Sequence, residues 1–235
     1  MRTIGLIGGM SWESTAIYYR LVNERVRARA GGLHSARVLL WSFDFDDVAA
    51  LQAQGDWRGA GALLGEAARG LEKAGADLIV LCTNTMHKVA DAITGAVPLP
   101  FLHLADVTAR AIKTAGCRKP LLLATRYTIE DDFYVGRLRA GHGIETMVPD
   151  EDARGMVHTI IYDELCRGVV RDESRQALRA IIAKAQTQGA DGVILGCTEL
   201  GMILSQDDCD VPVFDTTQIH ADAAVDFALM RAGGV

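Results

Sequence analysis

The chain has 235 residues, 49% of them hydrophobic, enough for one large domain or two small ones around a sizeable core and too apolar for disorder. Its formal charge of −6 comes from acids and bases mixed along the chain with no basic, aromatic-laced face, which argues against a nucleic-acid partner, and no apolar run is long enough to span a bilayer. Five cysteines with no CxxC pair argue against a disulfide framework or a zinc knuckle, and an N-terminus that enters a strand-like run at once, with no signal-peptide layout, points to the cytoplasm.

Ile4–Ile7 is the first short apolar run and reads as a strand. The turn after it, Gly8-Gly9-Met10-Ser11, lacks the GxGxxG spacing and the Walker lysine of a nucleotide loop. It reads instead as a glycine turn that lets backbone approach a substrate, with Met10 and Ser11 lining the site. An amphipathic helix over Ser14–Ala30 leads to a strand at Val38–Trp41, followed by Asp44, Asp46 and Asp47 as a loop-end cluster rather than catalytic acids. A helix over Gly59–Ala74 then feeds the strand Leu78–Leu81, whose end carries Cys82, Thr83, Asn84, Thr85 and Met86. His87 stands four residues past Thr83, which on a helix returns it beside that residue. It either tunes a site there or is an ordinary surface histidine.

Further apolar runs follow at Pro100–Leu104, Leu121–Ala124, Val193–Leu195 and Val211–Phe214, with helices at Arg171–Gln188 and Gln218–Met230. Behind Leu121–Ala124, either Thr125 or Tyr127 contacts a ligand or the stretch is a plain loop. His34, His103, His142, His158 and His220 show no HxxxH or His/Cys pairing, so no metal site is expected. Cys117, Cys166 and Cys209 read most simply as packing residues. Alternation of strand and helix predicts the α/β class, with doubly wound parallel sheets covered by helices on both faces.

The chain also echoes itself. AGADLIVLCTNT (Ala74–Thr85) matches QGADGVILGCTE (Gln188–Glu199) at an offset of 114 residues, with Gly75 on Gly189. More loosely, LIGGMSWESTAIYYRL (Leu6–Leu21) lies on LATRYTIEDDFYVGRL (Leu123–Leu138) at an offset of 117. This predicts two pseudo-symmetric units, residues 1–108 plus 215–235 and residues 109–214, with the last helix packed back on the first. The bland reading of Gly-Ala-Asp is a common helix-to-strand connection with a glycine C-cap.

The tighter echo places Cys82 on Gly196 and Thr83 on Cys197. A position that glycine fills needs no functional group, so Cys82 is structural and points the opposite way along the strand. Thr83 and Cys197 are then the equivalent functional positions, each at the carboxyl end of a strand, where open α/β sheets bind ligands. Asn84, Thr85, Thr198 and Glu199 add polar side chains there. Two such units facing each other would enclose a carboxylate-sized ligand. Exchanging the proton on the α-carbon of an amino acid needs a base on each face and donors around the carboxylate. A thiol serves as such a base, and a helix N-terminus is expected to lower its pKa toward neutrality. A threonine hydroxyl serves poorly, so the two faces should be unequal.

MRTIGLIGGMSWES, CTNTMHK and GCTEL resemble the cofactor-independent aspartate/glutamate racemases, most closely their enterobacterial amino-acid racemases, over nearly the whole chain. The resemblance implies two similar α/β domains with the active site between them, and a two-base 1,1-proton transfer without pyridoxal phosphate or metal, often in a homodimer. The family motif C-N-T-x-H reads Thr83-Asn84-Thr85-Met86-His87 here, so threonine replaces the first cysteine, while Gly196-Cys197-Thr198-Glu199 keeps the second. The resemblance assigns Cys197 to the L-face and Thr83 to the other, with Met86 and Gln52 among the substrate contacts. Cys166 stands where aspartate-specific members carry lysine, with Arg167 one position on, which opens the site to neutral or longer amino acids. Two other readings keep the fold: a single-cysteine decarboxylase or isomerase, and an amino-acid sensor without catalysis.

Overall fold

The computed structural model describes residues 1–230; residues 231–235, given to the first domain on sequence grounds, lie outside the described residues. The chain divides into two compact units, Met1–His103 with the chain from His220 on, and Leu104–Ile219. No helix among the described residues is long and apolar enough to cross a membrane.

In the first unit, β1 (Ile4–Gly8) is followed by α1 (Trp12–Ala30), β2 (Val38–Ser42), α2 (Phe45–Gln54), α3 (Trp57–Lys73) and β3 (Leu78–Leu81). A 3-10 turn (Thr85–Val89) and the one-turn α4 (Asp91–Thr94) come next. The strands run parallel in the order β2-β1-β3. Side-chain alternation splits them between two helix layers. Ile4, Leu6, Leu78, Val80 and Cys82 pack with α1, while Ile7, Ile79 and Leu81 pack with α3 residues such as Leu64, Ala67 and Leu71.

The second unit contains α5 (Leu104–Thr114), β4 (Leu121–Leu123), α6 (Arg126–Glu130), α7 (Asp132–His142), α8 (Glu151–Thr159), α9 (Asp172–Thr187), β5 (Val193–Leu195) and β6 (Val213–Asp215). Its parallel order is β4-β5-β6. Leu121, Leu123, Val193 and Leu195 face α8 and α9, and Leu122, Ala124, Ile194 and Phe214 face α5 and α7. The final helix, α10 (Thr216–Leu229), sends Ala221, Ala224, Val225 and Ala228 into the core beside β1 and α1.

The repeated Gly-Ala-Asp has the same physical role in both units. Gly75 and Gly189 adopt φ of +95° and +93°, ending α3 and α9 in a conformation that suits glycine. Ala76 N–H and Ala190 N–H then bond back to Leu71 and Ala185. The aspartates tie the next strand to its neighbour: Asp77 accepts from the Thr3 amide, and Asp191 from the Lys119 amide.

These bonds also correct the looser echo. Asp77 N–H bonds to Thr3 carbonyl and Cys82 N–H to Ile7 carbonyl; Asp191 N–H bonds to Lys119 and Gly196 N–H to Leu123. Thr3 therefore matches Lys119 and Ile7 matches Leu123, an offset of 116 rather than 117, so Ile7 and not Leu6 is the counterpart of Leu123. Similarity of side chains misled by one residue, whereas the backbone ladder fixes register.

Pro100–Leu104 is not a strand. It touches β3 through one bridge, Ile79 to Phe101, and Leu104 already starts α5. Pro98 and Pro100 bring no N–H donor to a ladder. The bridge occupies the place that β6 holds beside β5, and a bridge from Leu121 to Met147 matches β2 beside β1.

Beneath the first sheet, His220 is fully buried. It lies between the Tyr18 hydroxyl, 2.9 Å from Nδ1, and the Leu102 carbonyl, 2.8 Å from Nε2. The carbonyl can only accept, so Nε2 carries the proton and Tyr18 donates to Nδ1. Burial lowers the pKa to about 4, against a partial opposing effect of the Leu102 carbonyl. An unfolded histidine takes a proton near 6.5 and the folded one does not until about 4. The stabilisation is therefore full above 6.5 and is lost as pH falls from there toward 4, a change of about 3 kcal/mol. Urea unfolding at pH 7 and pH 4 should show a fall of that order in the unsubstituted protein beyond any fall in His220→Gln. Equal falls would remove His220 as the cause.

Candidate active site

In each unit most of the candidate residues collect at the carboxyl ends of the strands, after β1 and β3 in the first and after β4 and β5 in the second, where backbone leaves the sheet and open α/β sheets bind ligands. In the first unit, Gly9 turns the chain after β1 with φ of +86°; a Cβ there would run into the Phe43 backbone. The turn is braced by Thr15, whose hydroxyl accepts from the Gly9 amide at 2.8 Å and donates to the Ser11 carbonyl at 2.9 Å. Ser11 caps α1, its hydroxyl accepting from the Ser14 amide at 3.3 Å. Met10 is buried in the α3-side core together with Met86. Gln52, from α2, donates through Nε2 to Met86 Sδ at 3.1 Å, so these two predicted contacts do meet. Asp44, Asp46 and Asp47 cap and open α2, a structural use.

Thr83 follows β3 by two residues and is 9% exposed; Asn84 is buried and Thr85 half-buried. Cys82 points into the α1-side core with no exposed surface, and burial pushes its thiol pKa far up. Its counterpart Gly196 has no room at all, since a Cβ would stand 2.6 Å from Leu122 Cδ1 and 3.1 Å from Ala124 Cβ. His87 is 3% exposed, which corrects the surface-histidine alternative. It folds back on Thr83 across a single 3-10 turn.

In the second unit, Cys197 ends the stretch after β5 and precedes a five-residue 3-10 turn, Thr198–Met202. It keeps part of its surface open. Its Sγ donates to Glu199 Oε2 at 2.9 Å, and the Thr198 hydroxyl donates to the same oxygen at 2.6 Å. Glu199 is 4% exposed. The expected lowering of the thiol pKa is overturned. Burial raises it first, and the adjacent Glu199 carboxylate raises it further by charge and by accepting its hydrogen bond. A single 3-10 turn offers little of a long helix's dipole, and an acid two residues away outweighs it.

Two side chains near this thiol, Tyr162 and Cys166, escape a strand-end reading of the sequence. After α8 the chain winds through a π-helical turn, Ile160–Glu164, and a 3-10 turn, Leu165–Arg167. Tyr162, Cys166 and Cys197 all pack against one core. Burial raises the Tyr162 pKa, and the charges of Tyr127, Cys166, Cys197 and Glu199 add to the rise. His158 stacks on Tyr162 with centroids 4.7 Å apart, and its own pKa is lowered, first by burial and then by Arg126. The one available signal was position, because Tyr162 sits four residues before Cys166 in a segment already singled out. Arg167 turns outward to an exposed pair with Asp163. Thr125 is buried with its hydroxyl 3.3 Å from that of Thr128. Tyr127 is 38% exposed. No group of three or more His, Cys, Asp or Glu suited to a metal occurs among the described residues.

The chain matches the family model for Asp/Glu/hydantoin racemase over residues 7–224. A broad specificity amino-acid racemase, RacX of Bacillus subtilis (strain 168), is 28% identical over 155 residues, spanning 66% of this chain and 66% of that protein. A crystal structure from Yersinia pestis, solved as a candidate Asp/Glu racemase, is 55% identical with a TM-score of 0.93, covering 98% of this chain and 100% of that one. An aspartate racemase homologue from Pyrococcus horikoshii OT3 is 35% identical with a TM-score of 0.86, covering 97% and 99%.

Proposed function

The chain belongs to the Asp/Glu/hydantoin racemase family, and from that footing we propose that it is an amino-acid racemase that moves the Cα proton with its own side chains. Cys197 takes the proton on the L-face and Thr83 serves the other face. The observation that carries this reading is the Cys197 thiol at a strand end, hydrogen-bonded to the buried Glu199 carboxylate. A raised thiol pKa means that no thiolate stands ready. Glu199 resolves this by accepting the thiol proton: the S–H bond breaks, an O–H bond forms, and the pair keeps a single negative charge throughout. Loss of the proton to solvent would instead leave two anions side by side in low dielectric.

Substrate choice follows from the same residues. Cys166 cannot pair with a side-chain carboxylate as a lysine would, and Arg167 is engaged at the surface. Neutral amino acids are therefore substrates along with aspartate and glutamate.

In deuterium oxide, label should enter Cα of L-amino acids faster than Cα of their D-forms, and chiral chromatography should show the opposite enantiomer accumulating. Thr83→Cys should raise turnover of the D-enantiomer by about tenfold or more, because a thiol is a far better acid than a hydroxyl. Absence of gain would refute the asymmetry. No label in any amino acid would make the protein a sensor, and loss of carbon dioxide a decarboxylase.

A further inference from the structure

Just past β3 the chain turns from sheet to 3-10 geometry, and the carbonyls there need new partners. That of Cys82 accepts from the Ser14 hydroxyl at 3.3 Å. That of Thr83 accepts from His87 Nδ1 at 2.7 Å. A carbonyl cannot donate, so Nδ1 holds the proton and the tautomer of His87 is fixed. We propose that His87 is a positioning residue: its buried Nδ1–H fixes the Thr83 peptide plane, and through it the direction of the Thr83 hydroxyl. The proposal rests on the reading of Thr83 as the group serving the second face.

The surroundings of His87 support the assignment. Its ring lies 4.7 Å from that of His103, 5.6 Å from Phe101 and 5.9 Å from His220, centroid to centroid. His220 is itself held at both nitrogens by Tyr18 and Leu102. The His87 imidazole is thus walled in by rings, one of which is pinned from two sides, and has little freedom to swing off the carbonyl. Phenylalanine or leucine would fill the same volume at lower desolvation cost. What an imidazole offers here that phenylalanine and leucine cannot is a donor aimed at the carbonyl four residues back, on the residue that this reading makes catalytic. Such rigid support matters because a displacement of about 1 Å at a reacting group costs on the order of a hundredfold in rate.

Two amides separate orientation from packing. Asparagine places its nitrogen as many bonds from Cβ as Nδ1, and glutamine places its nitrogen one bond further, as Nε2 is. His87→Asn and His87→Gln would be compared for deuterium exchange at Cα of L- and D-alanine and L- and D-glutamate, with Thr83→Val alongside. His87→Asn should keep D-face exchange within about threefold, His87→Gln should lose about tenfold or more, and both should hold L-face exchange within about threefold. Equal D-face rates in the two amides would overturn the proposal, as would L-face exchange falling in step with D-face exchange. If Thr83→Val leaves D-face exchange as it was, the reading of Thr83 fails first and takes the role of His87 with it. Should an amide variant fail to fold, nitrogen NMR of the unsubstituted protein decides. A proton on Nδ1 of His87 that exchanges slowly with solvent supports the role, and a proton found on Nε2 alone ends it.

Discussion

Replacing Cys197 with serine is expected to cut deuterium exchange at Cα of L-amino acids by at least about a thousandfold, within the range that general-base catalysis supplies. Serine keeps the size of the side chain and can still donate to Glu199 Oε2, so the local hydrogen bond survives and the loss reports chemistry rather than collapse. The hydroxyl is the weaker acid by many orders of magnitude, and burial that already raises the thiol pKa penalises an alkoxide more. The measurement is loss of the Cα proton signal by NMR in deuterium oxide, with circular dichroism to confirm the fold. Exchange surviving within about tenfold would remove Cys197 from the L-face.

Glu199→Gln gives the second large effect, and its sign is the informative part. Glu199 could matter only by repelling a thiolate. An amide would then lower the thiol pKa and speed the reaction. If Glu199 accepts the thiol proton, an amide cannot, and thiolate forms only by loss to solvent. We expect the second outcome: at pH 7 L-face exchange falls about a hundredfold. The pH profile should change with it. In the unsubstituted protein the thiol has an acceptor for its proton within hydrogen-bond reach, so the rate should stay flat across neutral pH. In Glu199→Gln the rate should climb about tenfold per pH unit until the thiol pKa, still raised by burial, is reached. A Glu199→Gln protein faster than the parent at pH 7 would show that the carboxylate merely repels, and one equally fast would also remove Glu199 as the proton acceptor.

Both results concern a feature that the motif displays without explaining. Gly196-Cys197-Thr198-Glu199 names the thiol and the acid two residues on, but spacing alone does not say whether they meet. They meet because the chain leaves β5 into a 3-10 turn, which brings the Thr198 hydroxyl and the thiol onto one carboxylate oxygen. The expectation of a thiol eased by a helix N-terminus failed for the same reason: the turn is short and the acid is near.

The local steps of the fold were written in the chain. A glycine that ends a helix, an aspartate that ties the next strand and side chains that alternate along it depend on neighbours in sequence. They were enough to align Thr83 with Cys197 in the internal repeat and to make Cys82 a core residue. Tertiary structure decided what depends on residues far along the chain. It slipped the looser echo by one position, reduced Pro100–Leu104 to a single bridge, buried His87 among rings from positions 101, 103 and 220, and brought Tyr162 and Cys166 near Cys197. Backbone geometry is a short-range property that a sequence states nearly outright. The protonation of a buried group is set by every dipole and charge around it, and those are assembled only when the chain has folded.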